Sequence, residues 1–213
     1  AYMVLCVPPT YARYAASADI IAPDIYPIPH GKVADVYNFL LSARKEASKN
    51  NRPIWSVVQC FGYADKNSWR VPTVDECRNM TYQSLLAGAK GIIYYTYYDA
   101  GFDVRKFPEL WAGMKSLVPE VKAMKPYLVS GMPVTIKTGS EDLVAGVWKY
   151  NSKHMLIVAN TNDKKNATVK IAMPADASKA FKPLFVRDSV DLTITGGKLT
   201  GQLKPLDVEV FIY

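Results

Sequence analysis

Residues 53–62, Pro-Ile-Trp-Ser-Val-Val-Gln-Cys-Phe-Gly, decide the fold class of this chain. β-Branched and aromatic side chains fall on both faces of this run, as in the strands of a parallel sheet that is covered by helices. The segment Pro72-Thr73-Val74-Asp75-Glu76 follows and contains a capping box, in which Thr73 and Glu76 accept from each other's backbone. The stretch therefore predicts a strand and then a helix over Thr73–Ala89.

The same alternation of strand and helix extends in both directions from this stretch. Further strands are predicted at Tyr2–Val7, Asp19–Ile28 and Gly91–Tyr98, and further helices at Pro8–Ala18, Lys32–Asn50 and Pro108–Leu128. Four such units indicate either a doubly wound sheet or an eight-stranded barrel. The first turn, Val7-Pro8-Pro9-Thr10, lacks the glycines of a dinucleotide-binding doubly wound fold. We therefore favour a barrel of the TIM type, with four of its eight units present.

Residues 132–213 differ in pattern, because helical periodicity gives way to short alternating runs separated by turn residues. Strands are predicted at Val134–Lys137, Leu143–Tyr150, Met155–Thr161, Ala167–Ala172, Leu184–Arg187, Leu192–Thr195, Lys198–Gln202 and Asp207–Tyr213. Evenly spaced strands of this kind predict a β-sandwich. The expected fold class is α/β plus all-β: half of a barrel over residues 1–131, then a small antiparallel β-sandwich over 132–213.

The composition is that of an ordinary soluble globular protein, with 49% hydrophobic and 21% charged residues among 213. The net charge of +7 is spread over both parts of the chain, which argues against a nucleic-acid partner. No apolar run reaches the roughly 18 residues of a membrane span, and no charged-then-apolar leader opens the chain. The chain begins at Ala1 rather than Met, so we expect the natural start to lie upstream.

Neither a metal nor a cofactor is expected from the motifs. The three cysteines lack the spacing of a zinc site, and Cys6 and Cys60 lie in apolar runs that predict buried thiols. The two histidines, His30 and His154, form no His-x-His or His-Glu-x-x-His motif. Phosphate-binding glycine loops and a Gly-x-Ser-x-Gly motif are absent as well.

Several segments carry a resemblance to a known family. They are Asp19–Pro27, Pro53–Gly62, a Pro-Thr-x-x-Glu-x-Arg helix start at residues 72–78, Gly-Ala-Lys-Gly at 88–91, Leu156–Asn160 and Leu206–Tyr213. The chain resembles the later strands of (β/α)8-barrel glycoside hydrolases, the β-galactosidase-like and uncharacterised barrel hydrolases above all, with the small sandwich that often follows them. The resemblance covers nearly the whole chain, and its motifs are weak for any particular sugar.

The resemblance implies that the four units are strands five to eight of the barrel. The first four, with the usual acid/base carboxylate after strand four, are then absent from this chain. Because four strands cannot close a barrel, the open sheet should pair with the missing half or with a second copy in a homodimer. The compartment stays open, and the resemblance slightly favours a secreted or periplasmic protein.

Barrel active sites lie at the carboxyl ends of the strands. The polar and aromatic residues expected there are Asp24, Tyr26, His30, Gln59, Phe61, Trp69, Tyr97, Tyr98 and Asp99. Tyr26 and Trp69 are the best candidates for stacking on sugar rings, whereas Trp55, Trp111 and Trp148 are expected in the core. The remaining aromatics of the group, with His30 and Gln59, are candidates for substrate contact. A solvated position in the loop is the alternative for His30.

Glycoside hydrolysis needs two carboxyl groups, and the resemblance implies a nucleophile near the end of the strand at 53–62. Gln59 occupies that place, and an amide cannot be the nucleophile. Either Asp24 and Asp99 supply the carboxylates, or the site binds sugar without cleaving it. Asp24 and Asp99 have turn capping as an alternative role, and Gln59 has structural hydrogen bonding.

The implied function is that of a glycoside-hydrolase-like protein that acts on an oligosaccharide or glycoside and is inactive as this chain alone. The alternative is a carbohydrate-binding protein without catalysis.

Overall fold

The computed structural model describes residues 2–63, 69–99, 101–174, 181–185 and 191–213. The chain divides into two compact units, Ala1–Val118 and Pro119–Tyr213. The predicted domain boundary after residue 131 stays a prediction.

The first unit contains a four-stranded parallel sheet in the order β1-β2-β3-β4. The strands are β1 (Tyr2–Leu5), β2 (Ile20–Ile25), β3 (Ser56–Gln59) and β4 (Ile92–Tyr95). The helices that follow them in turn are α1 (Tyr11–Tyr14), α2 (Asp35–Ser48), α3 (Val74–Leu86) and α4 (Pro108–Ser130), and the last of these continues past the end of the unit at Val118. Sequential order with parallel pairing is the arrangement that strand–helix units produce when each crossover has the same hand.

Local signals explain where the helices begin and end. Thr73 accepts from the amide of Glu76 at 3.2 Å and donates its own amide to the Glu76 carboxylate at 2.8 Å, which confirms the predicted capping box. Gly88 follows α3 with a φ of 87°, a conformation that glycine adopts without steric cost, and the turn there satisfies the last carbonyls. Buried apolar residues recur along α2 at the spacing of one helix face, namely Val36, Tyr37, Leu40, Ala43 and Ala47.

The strands are shorter than predicted, and two further differences stand out in this unit. The helix expected over Pro8–Ala18 is a 3-10 turn, Pro8–Thr10, followed by the single turn of α1. The fourth strand ends at Tyr95 rather than Tyr98. Beyond it, β5 (Tyr98–Asp99) pairs with β6 (Phe102–Asp103) in a small antiparallel ladder.

The second unit contains two antiparallel sheets that share one core. The five-stranded sheet has the order β11-β14-β9-β8-β7 and the three-stranded sheet the order β10-β13-β12. Their bounds are β7 (Val134–Thr135), β8 (Leu143–Tyr150), β9 (Lys153–Asn160), β10 (Ala167–Ala172), β11 (Lys182–Pro183), β12 (Asp191–Thr195), β13 (Lys198–Leu203) and β14 (Val208–Ile212). Leu156, Val158 and Phe211 of one sheet meet Val169, Ile171 and Leu199 of the other. Burial of these alternating side chains holds the two sheets together.

Turn chemistry sets the register of the second unit. Gly196 and Gly197, with φ of 58° and 73°, join β12 to β13, as expected of a two-residue hairpin. The strand predicted at Leu184–Arg187 falls partly outside the described residues. The described strand in that region is β11, which ends at Pro183.

Predictions about single buried residues had mixed outcomes. Trp148 and the Cys60 thiol are buried as expected, but Trp55 and Trp111 are half-buried, since each packs beside an exposed tyrosine. Cys6 is exposed, contrary to the prediction, because β1 ends at Leu5, directly before it, and lies at the edge of its sheet. No helix in the described ranges is long and apolar enough to cross a membrane.

Candidate functional site

A cavity of about 560 Å³ lies on one face of the parallel sheet, toward its carboxyl end. Asp24, Val57 and Ile93 are register partners across β2, β3 and β4, so their side chains point to this same face. The cavity is lined by Tyr2, Val4, Asp24, Tyr26, Val57, Phe61, Tyr63, Trp69, Ile93 and Tyr95. Parallel strands place their ligand sites at this end, which makes the cavity the candidate site.

Five aromatic rings at the mouth of the cavity form a connected group, called here the Phe61 cluster: Tyr26, Phe61, Tyr63, Trp69 and Tyr95. Phe61 is buried at its centre and stacks on Trp69, with 5.8 Å between ring centroids and 16° between the planes. Its edge contacts to Tyr26 and Tyr95 have centroid distances of 5.0 and 5.4 Å. The sequence predicts that Tyr26, Phe61 and Trp69 lie at the same end of the sheet, and the structure brings their rings together in one cluster.

Asp24 is the one carboxylate among the described residues that line this cavity. It lies within β2, opposite Val57, and not at a turn. Its Oδ1 atom is buried and has no hydrogen-bond partner among the described residues. Burial raises the pKa of Asp24 above its ordinary value, and a bond from its own backbone amide offsets part of that rise. The side chain is thus poised to hold a proton at a higher pH than a solvated aspartate.

Gln59 ends β3 but turns its amide toward the backbone. The residue is 0% exposed, its Oε1 accepts from the Ile28 amide at 2.9 Å, and its Nε2 donates to the carbonyls of Ile28 and Phe61 at 2.9 and 3.2 Å. Of the two roles open for Gln59, these bonds correspond to structural hydrogen bonding. They secure the loop after β2 on which Tyr26 is carried.

Asp99 belongs to a separate and smaller cavity of about 290 Å³, which Tyr98, Asp103 and Lys106 also line. Its carboxylate accepts from the Gly101 amide at 2.8 Å, as in a turn cap, and from the Tyr63 hydroxyl at 3.3 Å. Among the described residues, this bond to Tyr63 is what links Asp99 to the Phe61 cluster.

The other predicted contacts lie at or beyond the rim. His30 is exposed and meets the Trp69 ring edge-on, with 5.7 Å between centroids. Tyr97 is exposed, packs against Trp111 and lies under the Arg105 guanidinium, whose carbon is 5.5 Å from the ring centroid. Neither Tyr97 nor Tyr98 lines the cavity that holds Asp24.

Trp69 is held in place from both sides. Its carbonyl accepts from the Tyr63 amide at 2.8 Å. The neighbouring Arg70 forms a bidentate ion pair with Glu76 of α3, at 2.8 and 2.5 Å. Burial by itself would raise the pKa of Glu76, but the bonds from Arg70 and Thr73 outweigh it and hold that pKa below its usual range. Helix α3 therefore anchors the loop segment that presents the indole.

Sequence reasoning missed Tyr63, Tyr95 and Tyr2 as lining residues. Strand alternation carries a signal for Tyr95, since Ile93 and Tyr95 are two residues apart in β4 and must share a face. For Tyr63 no such signal exists, because it lies in an isolated bridge to Trp69 outside the sheet. No group of three His, Cys, Asp or Glu side chains suited to a metal occurs within the described residues.

Comparison with known proteins relates the fold to solved structures. No protein-family model matches the chain, and no curated protein matches it. Amy13B of Eubacterium rectale is 13% identical over 100% of this chain and 52% of its own, with a TM-score of 0.58. An α-amylase of Geobacillus thermoleovorans, solved with acarbose, is 12% identical over 97% of this chain and 57% of its own, with a TM-score of 0.57.

A GH30 endoxylanase of Clostridium papyrosolvens is 12% identical over 93% of this chain and 49% of its own, with a TM-score of 0.50. The chain spans about half the length of each of these structures. It therefore shares its fold, over that half, with TIM-barrel glycoside hydrolases.

Proposed function

We propose that this chain is the C-terminal half of a (β/α)8-barrel glycoside hydrolase with its trailing β-sandwich. The observation that carries the proposal is the cavity at the carboxyl end of the parallel sheet, where one half-buried carboxyl group lies beside the Phe61 cluster. The fold shared with barrel hydrolases over half their length supports the same assignment.

The proposed ligand is an oligosaccharide or glycoside. Sugar rings present apolar C–H faces that stack on aromatic rings, and their hydroxyls need a few polar groups nearby. Trp69 and Tyr26 are half-buried members of the cluster, so each keeps part of its ring available. His30, at the edge of Trp69, is exposed and offers a ring nitrogen to a sugar hydroxyl.

In the proposed reaction Asp24 is the general acid. A raised pKa keeps such a group protonated until it donates to the leaving oxygen, which is the role of the acid in a pair of carboxyl groups. Gln59 is engaged with Ile28, and Asp99 with Gly101 and Tyr63. The second carboxylate is therefore proposed to come from the preceding half of the barrel, so this chain alone does not hydrolyse glycosides.

The exposed sheet face supports the proposed partner. Tyr2 and Val4 of β1 are 55% and 45% exposed, and Tyr95 of β4 is 39% exposed. Within the described residues β1 and β4 each have one neighbouring strand in their sheet. We propose that four preceding strand–helix units cover this face, with a second copy of the chain as the other arrangement. Light scattering on the complete parent and on this chain separates the two arrangements. The first predicts a monomeric parent, whereas a monodisperse monomer of this chain contradicts the second.

The decisive experiment compares the complete parent protein with this chain on a panel of aryl glycosides. The parent should turn over at least one substrate, Asp24→Asn should abolish that turnover, and the isolated chain should show none. If the parent turns over no glycoside, the hydrolase proposal is wrong. If Asp24→Asn retains full turnover, Asp24 is not the general acid.

A second candidate function is carbohydrate binding without catalysis, which the amide of Gln59 at the end of β3 favours. Calorimetry would then detect binding of an oligosaccharide that the parent does not hydrolyse. Trp69→Ala should weaken that binding, while Tyr150→Ala, an exposed tyrosine in the second unit, should leave it unchanged. An equal effect of both substitutions would argue against the Phe61 cluster as the binding surface.

A further inference from the structure

Two buried polar atoms next to the candidate site have complementary chemistry. The Tyr11 side chain is 0% exposed, and its hydroxyl has no hydrogen-bond partner among the described residues. Oδ1 of Asp24 is also buried and has no hydrogen-bond partner among the described residues. One group is a donor and the other an acceptor, and buried polar groups in proteins are almost always paired.

The topology brings these two residues to the same corner of the sheet. β1 and β2 are parallel neighbours, and Leu5, the last residue of β1, is the register partner of Pro23, which precedes Asp24. Tyr11 begins α1 directly after the short turn that leaves β1. Burial raises the pKa of Tyr11 most, and the nearby charge of Asp24 raises it further.

We propose that Tyr11 is a positioning residue for Asp24, whose carboxylate it binds by donating its hydroxyl hydrogen to Oδ1 through one bridging water molecule. The inference rests on the proposed function for the part that Asp24 takes in the reaction, but the hydrogen bond itself does not.

Such a bond has a specific chemical consequence. A general acid ends its step as a carboxylate, and burial without a donor disfavours that form. A hydrogen bond from Tyr11, relayed by the water molecule, stabilises the carboxylate that remains once the proton has left. Without it, the pKa of Asp24 would be higher still.

Among the described titratable groups around Asp24, hydroxyls and not cations are the ones placed to stabilise its carboxylate. Cys6 and Asp24 are close enough to Tyr11 to raise the pKa of its hydroxyl, and Asp24 also raises the pKa of Tyr26. Tyr26 in turn faces Tyr95, Cys60 and Tyr63. None of the described residues that line the cavity is a lysine, arginine or histidine, so no cation there stabilises the carboxylate.

The test is a carbon-detected NMR titration of the Asp24 carboxyl in the full chain. Tyr11→Phe removes only the hydroxyl and should raise the pKa of Asp24 by about 0.5–1 pH unit, because it removes a donor to the charged form. Tyr37→Phe, a buried tyrosine of α2, is the matched control and should leave the pKa unchanged. If the Tyr11→Phe variant folds and its Asp24 carboxyl titrates with an unchanged midpoint, the proposal is wrong.

A second measurement needs no variant and covers the case in which Tyr11→Phe fails to fold. In the unaltered chain the carbon that bears the Tyr11 hydroxyl should shift with the same midpoint as the Asp24 carboxyl. An invariant Tyr11 signal through that midpoint also overturns the proposal. Neither readout depends on hydrolysis. A parent that cleaves no glycoside would contradict the proposed function, while the two titrations would still decide whether Tyr11 binds Asp24.

Discussion

The side-chain amide of Gln59 pairs with the backbone of Ile28 in both directions, each bond being 2.9 Å long. This two-point contact joins the end of β3 to the loop after β2. Because Tyr26 lies two residues before Ile28, the contact also determines where one wall of the candidate site stands. Gln59, for which the sequence left both sugar contact and structural hydrogen bonding open, thus supports the site through its bonds to Ile28.

Gln59→Leu should destabilise the first unit. The substitution keeps the side chain at a similar size but replaces its amide with an apolar group. The buried N–H and C=O of Ile28 then lose their partner, at a cost of about 2–4 kcal/mol in the free energy of unfolding. Urea denaturation measures the change. Gln202→Leu alters an exposed glutamine and should change stability by less than about 0.5 kcal/mol. Equal effects of the two substitutions would show that the Ile28 bonds contribute nothing.

Asp24→Asn should make the chain more stable at neutral pH. The folded pKa of Asp24 is raised by burial, so its contribution to stability is fully present below the unfolded pKa, near 3.8, and is lost as pH rises through the folded value. Asparagine has the same shape and no such loss. Urea midpoints measured across this pH range should fall for the unaltered chain and stay flatter for Asp24→Asn, with exposed Asp163→Asn as the control. Parallel pH profiles of all three would contradict the assignment.

Glu76→Gln should remove an acid-sensitive contribution. The folded pKa of Glu76 is depressed, so the stability it adds is present above the unfolded pKa, near 4.5, and is lost as pH falls through the folded value. The variant should be less stable at neutral pH and approach the unaltered chain in acid. Thermal unfolding at the two pH extremes tests this, and Glu46→Gln, whose partner is the exposed Lys49, should show a much smaller difference.

Gly62→Ala should displace the segment that presents Trp69. An added Cβ would lie 2.7 Å from the Trp69 carbonyl oxygen and 2.5 Å from the Arg70 carbonyl carbon, and these backbone atoms cannot rotate away. We expect a loss of about 2 kcal/mol in stability and a changed tryptophan fluorescence spectrum. At Gly131 an added Cβ meets nothing within 4 Å, so Gly131→Ala should be silent in both measurements. A silent Gly62→Ala would mean that this loop yields freely.

Local patterns were sufficient for most of the secondary structure. The capping box at Thr73 and Glu76 satisfies helix donors within four residues, so its signal is complete in the sequence. The strands at 143–150 and 167–172 have the predicted bounds because alternation and turn residues act locally. Where the pattern failed, as beyond Tyr95 and at Cys6, the outcome depended on strand pairing and on the position of an edge.

The sequence by itself determined the parallel strand–helix units, the antiparallel strands after them, and the presence of aromatic residues at strand ends. Only the tertiary structure decided which of those residues share a cavity. Register across β2, β3 and β4 placed Asp24 beside Val57 and Ile93, whereas the turn at Gly101 engaged Asp99 elsewhere. Asp24, Val57 and Ile93 are far apart in the sequence, and their proximity comes from strand pairing, which no local pattern encodes.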